Sequence, residues 1–382
     1  MIYLDTAATT KPKQEVVEAM MPYFTEKWYN PSALYGQANK IKKYIENARN
    51  IVGNFINANG NEIFFTSGGS ESNCWAIQGF VKQCYSIGWQ PIIITSTIEH
   101  KSINACLDDI RSCNLGIIHL IPVDKCGFID VELLEDALEH YKGKPNVLVS
   151  IQFANNEIGT IQYIKHLASL AHKYGAVFHT DAVQAFGHIP IDVKELDIDM
   201  MSASGHKIGC SKGIGFLYIK NGVKIKPLIY GSQMDSMRGG TENVPYIIGM
   251  AKAVELIQND MIRFPLSYYR NYFISELKKL GCTVNGAMDS RLPNNINITF
   301  LQDITGEAMT YMLDMSEIFV ATGSACNSYA IEPSHILKAI GLSDNEAARS
   351  LRITLPDDIS MEVIDKVICE ITKQIMLLTS EE

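Results

Sequence analysis

The sequence lacks a local motif for a metal centre. It contains nine cysteines, an odd number, and no two of them form a C-x-x-C pair. His166 and His172 lie six positions apart, which is not the spacing of two ligands on one face of a helix. A zinc or iron–sulfur site built from neighbouring ligands is therefore not expected. In a reducing compartment most of the thiols should be buried instead.

Nucleotide-binding loops are also missing. The chain has no G-x-x-x-x-G-K-[ST] sequence, and no G-x-G-x-x-G follows a strand and opens a helix. The segment "GCSKGIG" includes Gly213 and Gly215, but it precedes the predicted strand "GFLYIK". A dinucleotide site needs the glycines on the other side of the strand. The sequence therefore argues against both classes of nucleotide site.

Charge and hydropathy exclude two further classes of protein. The 33 basic and 42 acidic residues give a net charge of −9, which argues against a nucleic-acid surface. The longest apolar runs, such as "NVLVSI", are far shorter than a membrane span. The first residues, "MIYLDTAATTKPK", do not combine a basic start with an apolar run. We therefore expect a cytoplasmic location.

The chain does have a clear alternation of strands and helices. Between residues 33 and 260, short apolar runs such as "PIIITST", "NVLVSIQF" and "AVFHTD" are separated by helical patterns such as "HKSINACLDDI". Continuous apolar strands that alternate with helices indicate a mostly parallel sheet with helices on both faces. The predicted fold class is α/β.

The pattern changes after about residue 255. One long helical pattern, "AKAVELIQNDMIRFPLSYYRNYFISELKKLG", is followed by "NNINITF", whose alternation predicts a half-solvated strand. A strand "LRITL" and an amphipathic helix "SMEVIDKVICEITKQIMLL" close the chain. We predict a large domain over 12–255 and a small α+β domain over 256–382 that also includes 1–11.

Polar residues follow several of the predicted strands. In an open parallel sheet, ligands bind beyond the carboxyl ends of the strands, so these positions are candidates for an active site. The candidates, in chain order, are Gly69 and Ser70, Glu99 and His100, Asn155 and Asn156, Asp181 and Gln184, and His206 and Lys207.

Each candidate alone has an ordinary structural explanation. The Gly-Gly-Ser sequence before residue 71 could be a plain turn, and Asp181 could cap a helix. His100 could be a structural histidine, and Lys207 a solvated charge. Together they fit pyridoxal 5'-phosphate (PLP), which needs a lysine for a Schiff base, a carboxylate for its pyridinium nitrogen and a helix N-terminus for its phosphate.

A family resemblance supports this interpretation. The segments "YLDTAATT", "FTSGGSESN", "NNEIG", "HTDAVQ", "SASGHKIG", "RGGTENV" and "GSACNS" resemble, in order, the motifs of cysteine desulfurases of the NifS/IscS type. These are class V aminotransferase relatives and fold-type I PLP-dependent transferases. "SGHK" is typical of class V PLP enzymes in general, whereas "GSAC" is typical of the sulfur-transferring branch. Where the family usually has a histidine after "NPSS", this chain has "NPSALYG", with Tyr35 near that place.

The resemblance implies a role for each matching position. Lys207 would bind PLP covalently, Asp181 would pair with its ring nitrogen, Gln184 would bind its hydroxyl, and His100 would stack on its ring and move protons. Asn156 would contact the cofactor and, with Arg352, the carboxylate of the substrate. The residues implied to hold the phosphate are Gly69, Ser70, Ser204, His206 and, from a second subunit of a homodimer, Thr241.

Cys326 is the implied nucleophile. It lies in "ATGSACNS", among small and polar residues that offer no large apolar neighbour, whereas a structural free cysteine is usually packed inside. Its thiolate would take sulfur from L-cysteine, leaving alanine and an enzyme persulfide. Small neighbours such as Gly323 would let the segment move to deliver the sulfur.

The implied function is therefore a PLP-dependent cysteine desulfurase that feeds iron–sulfur cluster or other sulfur-cofactor assembly through a sulfur-acceptor protein. A selenocysteine lyase or a class V aminotransferase is an alternative enzyme of the same fold. A non-catalytic scaffold that keeps the fold is an alternative from another class. No metal, nucleic acid or membrane is expected to take part.

Overall fold

The computed structural model describes residues 1–260, 266–322 and 333–380. Within these ranges it contains a seven-stranded sheet, a three-stranded sheet and a two-stranded pair, with helices packed around them. The predicted α/β fold class is confirmed. The segment that carries Cys326 lies outside the described residues.

Twelve strands occur in the described chain. They are β1 (Ile2–Tyr3), β2 (Ile63–Thr66), β3 (Ile92–Ser96), β4 (Ile117–Ile121), β5 (Val147–Ser150), β6 (Val177–Asp181), β7 (Met200–Ser204), β8 (Gly215–Ile219), β9 (Cys282–Val284), β10 (Asn295–Phe300), β11 (Ile318–Phe319) and β12 (Ser350–Thr354).

Thirteen α-helices are described. They are α1 (Gln14–Met20), α2 (Pro22–Thr25), α3 (Gly36–Phe55), α4 (Gly69–Ser86), α5 (Lys101–Ser112), α6 (Val131–His140), α7 (Ile164–Lys173), α8 (Val244–Asp260), α9 (Leu266–Lys279), α10 (Gly306–Met315), α11 (His335–Ala339), α12 (Asp344–Ala348) and α13 (Met361–Ser380). The single long helical pattern predicted after residue 250 corresponds to two described helices, α8 and α9.

The seven-stranded sheet has the order β2-β8-β7-β6-β5-β3-β4, and only β8 runs antiparallel to its neighbours. Successive residues of its strands enter opposite cores: Ile92 and Ile94 pack into the core that includes α3, α7 and α8, and Ile93 packs into the core that includes α4 and α5. This alternation follows from the two-residue repeat of a strand. It produces the predicted mostly parallel sheet with helices on both faces.

The three-stranded sheet is antiparallel, in the order β12-β10-β9, and packs against α9, α10 and α13. The prediction of a half-solvated strand over "NNINITF" is wrong, because all six residues of β10 are buried. The polar face of β10 contacts the large domain instead of water. The side-chain amides of Asn295 and Asn297 donate to the backbone oxygen of Glu157 at 3.1 and 3.2 Å.

The N-terminal segment crosses between the two parts of the molecule. β1 pairs in parallel with β11, and Leu4 is buried in the core of the three-stranded sheet. Farther along, the backbone N–H of Thr10 donates to the oxygen of His206 at 2.8 Å, on the large domain. The chain therefore passes over the end of the large sheet on its way to α1. The predicted domain boundaries remain a prediction.

Cysteine burial follows the prediction only in part. Among the eight described cysteines, Cys84, Cys106, Cys210 and Cys282 are buried, and Cys74 is half-buried. Three described cysteines are exposed, namely Cys113, Cys126 and Cys369. For these three the expectation of burial is wrong. No helix of the described chain is long and apolar enough to span a bilayer.

Candidate active site

Lys207 lies immediately beyond the carboxyl end of β7, in a short 3₁₀ turn over Gly205–Lys207. Its Nζ donates to the backbone oxygens of Ala7 and Ala8, the latter at 2.7 Å. The side-chain amide of Gln184 also donates to the Ala7 oxygen, at 3.0 Å. The N-terminal segment therefore brings Lys207 and Gln184 to one point at the end of the sheet.

Asp181 is the last residue of β6, and its carboxylate is held on both oxygens. Asn73 donates to Oδ2 at 2.7 Å, and the backbone N–H of Val183 donates to Oδ1 at 2.9 Å. The residue is only 6% exposed. Two donors in fixed geometry orient the carboxylate.

His100 caps the N-terminus of α5, in the loop that follows β3. Desolvation lowers the pKa of the imidazole although the residue keeps an exposed surface, and the charge of Asp181 opposes this shift. Ser102 contacts Nδ1 through both its hydroxyl, at 2.8 Å, and its backbone N–H, at 3.1 Å. Because a backbone N–H can only donate, Nδ1 is the acceptor and the neutral ring carries its proton on Nε2. The contact with Ser102 therefore fixes both the orientation of the ring and its tautomer.

The N-terminus of α4 faces the same region. Helix α4 runs for 18 residues from Gly69, so its first turn offers free backbone N–H groups to an anion. Glycine at position 69 avoids a close contact, because a Cβ atom there would lie 2.5 Å from Cγ2 of Val183 and that side chain would have to shift. Ser70 is exposed in the same turn, and Ser204, at the end of β7, is buried beside Gly69.

His206 lies next to Lys207 and contacts the N-terminal segment. Its Nδ1 is 3.2 Å from the hydroxyl of Thr9. Burial, together with the nearby charges of Lys207 and Lys212, lowers the pKa of His206 to about 4. The ring is therefore neutral at pH 7 and is suited to hydrogen bonding rather than to charge pairing.

Arg352 lies on β12 of the three-stranded sheet and reaches this cleft. Its guanidinium donates to Oδ1 of Asp5 at 2.8 Å and to the backbone oxygen of Asn156 at 3.3 Å. The residue is 7% exposed, and its Nε has no hydrogen-bond partner within the described part of the chain. A buried guanidinium N–H with no acceptor is destabilising, so this atom is suited to an anionic ligand.

Helix α11 is attached to the loops that follow β3 and β5. The hydroxyl of Ser334 donates to the carboxylate of Glu157 at 2.5 Å, and Nε2 of His335 is 3.1 Å from the backbone oxygen of Glu99. Burial raises the pKa of Glu157 to about 7 and that of Glu99 to about 8. These contacts fix the chain that follows residue 332 at the rim of the cleft.

Two predicted residues are not part of this constellation. Thr241 is exposed, on a segment whose Arg238 forms a two-contact ion pair with Glu71 of α4, at 2.9 and 3.2 Å. Its implied partner belongs to a second subunit, so its role remains a prediction. Cys326 lies outside the described residues, and its role remains a prediction as well.

Sequence analysis missed several residues that hold the site together. Asn73 orients Asp181, Ser102 orients His100, and Asp5 pairs with Arg352. Ser102 had a usable signal, because it lies two positions after a histidine at a helix start. Asn73 and Asp5 had none, since their partners are 108 and 347 positions away.

The donor set fits PLP. A lysine, a buried carboxylate fixed by two donors and the N-terminus of a long helix lie at the carboxyl ends of β7, β6 and β2 of one sheet. They match, respectively, the aldehyde, the pyridinium nitrogen and the phosphate of the cofactor. A neutral histidine pair and a buried guanidinium complete the cleft.

Comparisons with known proteins agree with this geometry. The profile of the family described as "Aminotransferase class-V" matches residues 2–367. "Cysteine desulfurase IscS" of Clostridium botulinum is 44% identical over 374 residues, covering 96% of this chain and 92% of that protein.

Solved structures give the same result. A structure described as "NIFS-LIKE PROTEIN" superposes with a TM-score of 0.90 at 31% identity, covering 98% of this chain and 99% of that one. "SspA in complex with cysteine" superposes with a TM-score of 0.81 at 35% identity, covering 94% and 99% of the two chains.

Proposed function

Because the chain belongs to the class V aminotransferases and is a PLP-dependent cysteine desulfurase, we propose that Lys207 binds the cofactor and that Cys326 accepts the sulfur of L-cysteine. The observation that supports this most strongly is that Lys207, Asp181 and the first turn of α4 lie at one end of the seven-stranded sheet, where Gly69 lies beside Val183 and Ser204.

The proposed roles of the cofactor-binding residues are those that the family resemblance implies, and their positions at the end of the sheet support them. Bound PLP would supply an electron sink for the amino acid joined to it. Asp181 would pair with the ring nitrogen, Gln184 would bind the ring hydroxyl, and His100 would stack on the ring and move protons. The phosphate is bound by Gly69, Ser70, Ser204, His206 and, across a homodimer interface, Thr241.

Arg352 and Asn156 are proposed to bind the carboxylate of the substrate. Asp5 and the Asn156 backbone already occupy two guanidinium donors of Arg352, which fixes its plane. The Nε–H remains to meet a carboxylate oxygen, and Asn156 is adjacent. An oriented guanidinium binds a carboxylate more tightly and with better defined geometry than a mobile lysine.

Cys326 is proposed as the nucleophile. Its thiolate attacks the sulfur of L-cysteine, the Cβ–S bond of the substrate breaks, and an S–S bond forms on Cys326. The carbon that loses sulfur gains a proton, so alanine is released. The persulfide then passes its terminal sulfur to an acceptor, which we propose to be an iron–sulfur scaffold or another sulfur carrier in the cytoplasm.

The test is the product ratio from L-cysteine and a reductant. We expect equal amounts of alanine and sulfide, a visible absorbance band from bound cofactor, and loss of sulfide release in Cys326→Ala but not in Cys113→Ala, a matched exposed cysteine. Near-normal sulfide release by Cys326→Ala would overturn the persulfide step.

Three other results would support the alternatives. Keto-acid formation with amino transfer would support an aminotransferase. Turnover of L-selenocysteine but not of L-cysteine would support a selenocysteine lyase. A colourless protein that does not bind added PLP would support a non-catalytic scaffold.

A further inference from the structure

Two cysteines on adjacent helices contact each other behind the cofactor cleft. Sγ of Cys106, on α5, lies 2.8 Å from Sγ of Cys74, on α4. The proposed reaction uses neither thiol. A covalent S–S bond measures about 2.05 Å, so less than 1 Å of approach separates this contact from a bond.

The rest of the packing favours this pairing. Cys106 is buried in the core between α4, α5 and the sheet, and Cys74 packs against the edge of that core. Cys74 also contacts the backbone oxygen of Ser102, one turn before Cys106. Both side chains are thus directed into the seam between the two helices.

The two thiols are not equivalent. Cys74 is half-buried, whereas Cys106 is only 7% exposed. The Cys106 thiol donates to the Cys74 sulfur, which lowers the pKa of Cys74, and this contact together with burial raises the pKa of Cys106. Thiolate character and access both favour Cys74 as the first thiol to react.

We propose that Cys74 and Cys106 form a reversible disulfide by exchange with a low-molecular-weight disulfide. The Cys74 thiolate attacks one sulfur of the small disulfide and releases one thiolate, leaving a mixed disulfide on Cys74. Cys106 then loses its proton, and its thiolate attacks the Cys74 sulfur; the S–S bond to the small molecule breaks, and the leaving thiolate takes up a proton. Two protein thiols are oxidised, and one small disulfide is reduced to two thiols.

The bond would join the two helices that frame the cofactor. Cys74 follows Asn73, which holds Asp181, and Cys106 lies one turn after Ser102, which holds His100. Asn73 also donates to the hydroxyl of Ser102 at 3.1 Å, so the seam already carries a polar contact between the two positioning residues. A cross-link there restrains the opening of α4 away from α5.

The experiment is thiol mapping of the purified holoenzyme after incubation with oxidised glutathione. The protein is unfolded in the presence of an alkylating agent and digested, and its peptides are identified by mass. We expect a disulfide between the peptides of residues 74 and 106, while the exposed Cys113 carries glutathione. Excess dithiothreitol restores both thiols, and the oxidised protein melts at a higher temperature than the reduced protein.

Two variants distinguish the order of reaction. Cys106→Ser should stop at a glutathione adduct on Cys74 and show no rise in melting temperature. Cys74→Ser should leave Cys106 unmodified. The proposal is overturned if residues 74 and 106 are both recovered as alkylated thiols while Cys113 is modified, or if Cys106 reacts in Cys74→Ser as fast as in the original protein.

Discussion

The two ends of the central sheet shift the pKa of histidine in opposite directions. At the carboxyl end, desolvation lowers the pKa of both His100 and His206. At the other end, His172 contacts Asp197 at 2.8 Å and Asp199 at 2.7 Å, and these carboxylates raise its pKa. Protonation of the same side chain is therefore disfavoured at one end and favoured at the other.

This difference in charge pairing distinguishes the end of the sheet that binds the cofactor from the end that stabilises the fold. The pair formed by His172 and Asp199 is completed by Lys220, which lies 2.6 Å from Asp197 and 3.7 Å from Asp199. At the cofactor end, polar groups instead line the cleft. Desolvation there disfavours the charged forms of His100 and His206. An end whose charges are already paired stabilises the fold, whereas an end with desolvated groups is suited to binding a ligand.

The largest expected effect comes from removing the cofactor lysine. Lys207→Ala should abolish desulfurase turnover, because it removes the amine proposed to bind the aldehyde of the cofactor. The fold should persist, since Lys207 is only half-buried. Sulfide release and circular dichroism measure the two effects, and Lys212→Ala on the same loop is the control. Normal turnover by Lys207→Ala would contradict the assignment.

The next effect concerns the orientation of Asp181. Asn73→Ala removes the donor to Oδ2 and leaves a buried carboxylate oxygen without it. The loss of such a charged hydrogen bond is worth about 1–3 kcal/mol, so PLP should bind about 10- to 100-fold more weakly. Equilibrium titration with PLP measures this change. Gln78→Ala, on the exposed side of α4, should have no effect, and an unchanged affinity in Asn73→Ala would exclude the positioning role.

A smaller effect is expected at the opposite end of the sheet. His172→Gln should lower the free energy of unfolding by about 1 kcal/mol, because the pair is partly exposed, and should leave turnover unchanged. The folded state raises the pKa of His172. Its contribution is therefore full below about pH 6.5 and is lost as the pH rises through the raised pKa. Urea unfolding across pH 5.5–9 checks the slope, and a contribution that grows with pH would contradict it.

His206 should show the opposite pH dependence, with the smallest effect at neutral pH. Its folded pKa is about 4, below the ordinary value of about 6.5. The original protein therefore loses stability as the pH falls below about 6.5, because His206 binds a proton in the unfolded chain at a pH at which it stays neutral in the folded chain. His206→Gln removes this loss. The free energy of unfolding of the variant, measured in urea, should therefore rise relative to that of the original protein as the pH is lowered from 7 to 5. Parallel curves would contradict the burial of a neutral ring.

Much of the fold could be predicted because its signals are local. The runs "PIIITST" and "AVFHTD" predicted β3 and β6, and "HKSINACLDDI" predicted α5. The exception is β10. Alternation normally indicates one wet face, but here Asn295 and Asn297 bind the backbone of Glu157. An alternating sequence shows that one face of the strand is polar, but it does not show whether that face contacts water or a polar loop elsewhere in the chain.

Residues of the site could be predicted only where a chemically reactive side chain lies at the end of a strand. Lys207, Asp181 and His100 each follow a strand of the parallel sheet, so a rule about strand ends finds them together. The residues that orient them do not follow this rule. Asn73 lies in the second turn of α4, and Asp5 comes before the first helix, so both meet their partners only through tertiary packing.

The most direct test of the account is to locate the cofactor on the chain. Borohydride reduction of the holoenzyme fixes the bond between PLP and its lysine, and peptide mapping then identifies the residue. The account predicts the label on Lys207, at the carboxyl end of β7. A label on Lys101 or on any other lysine, or a stoichiometric holoenzyme that carries no label, would contradict it.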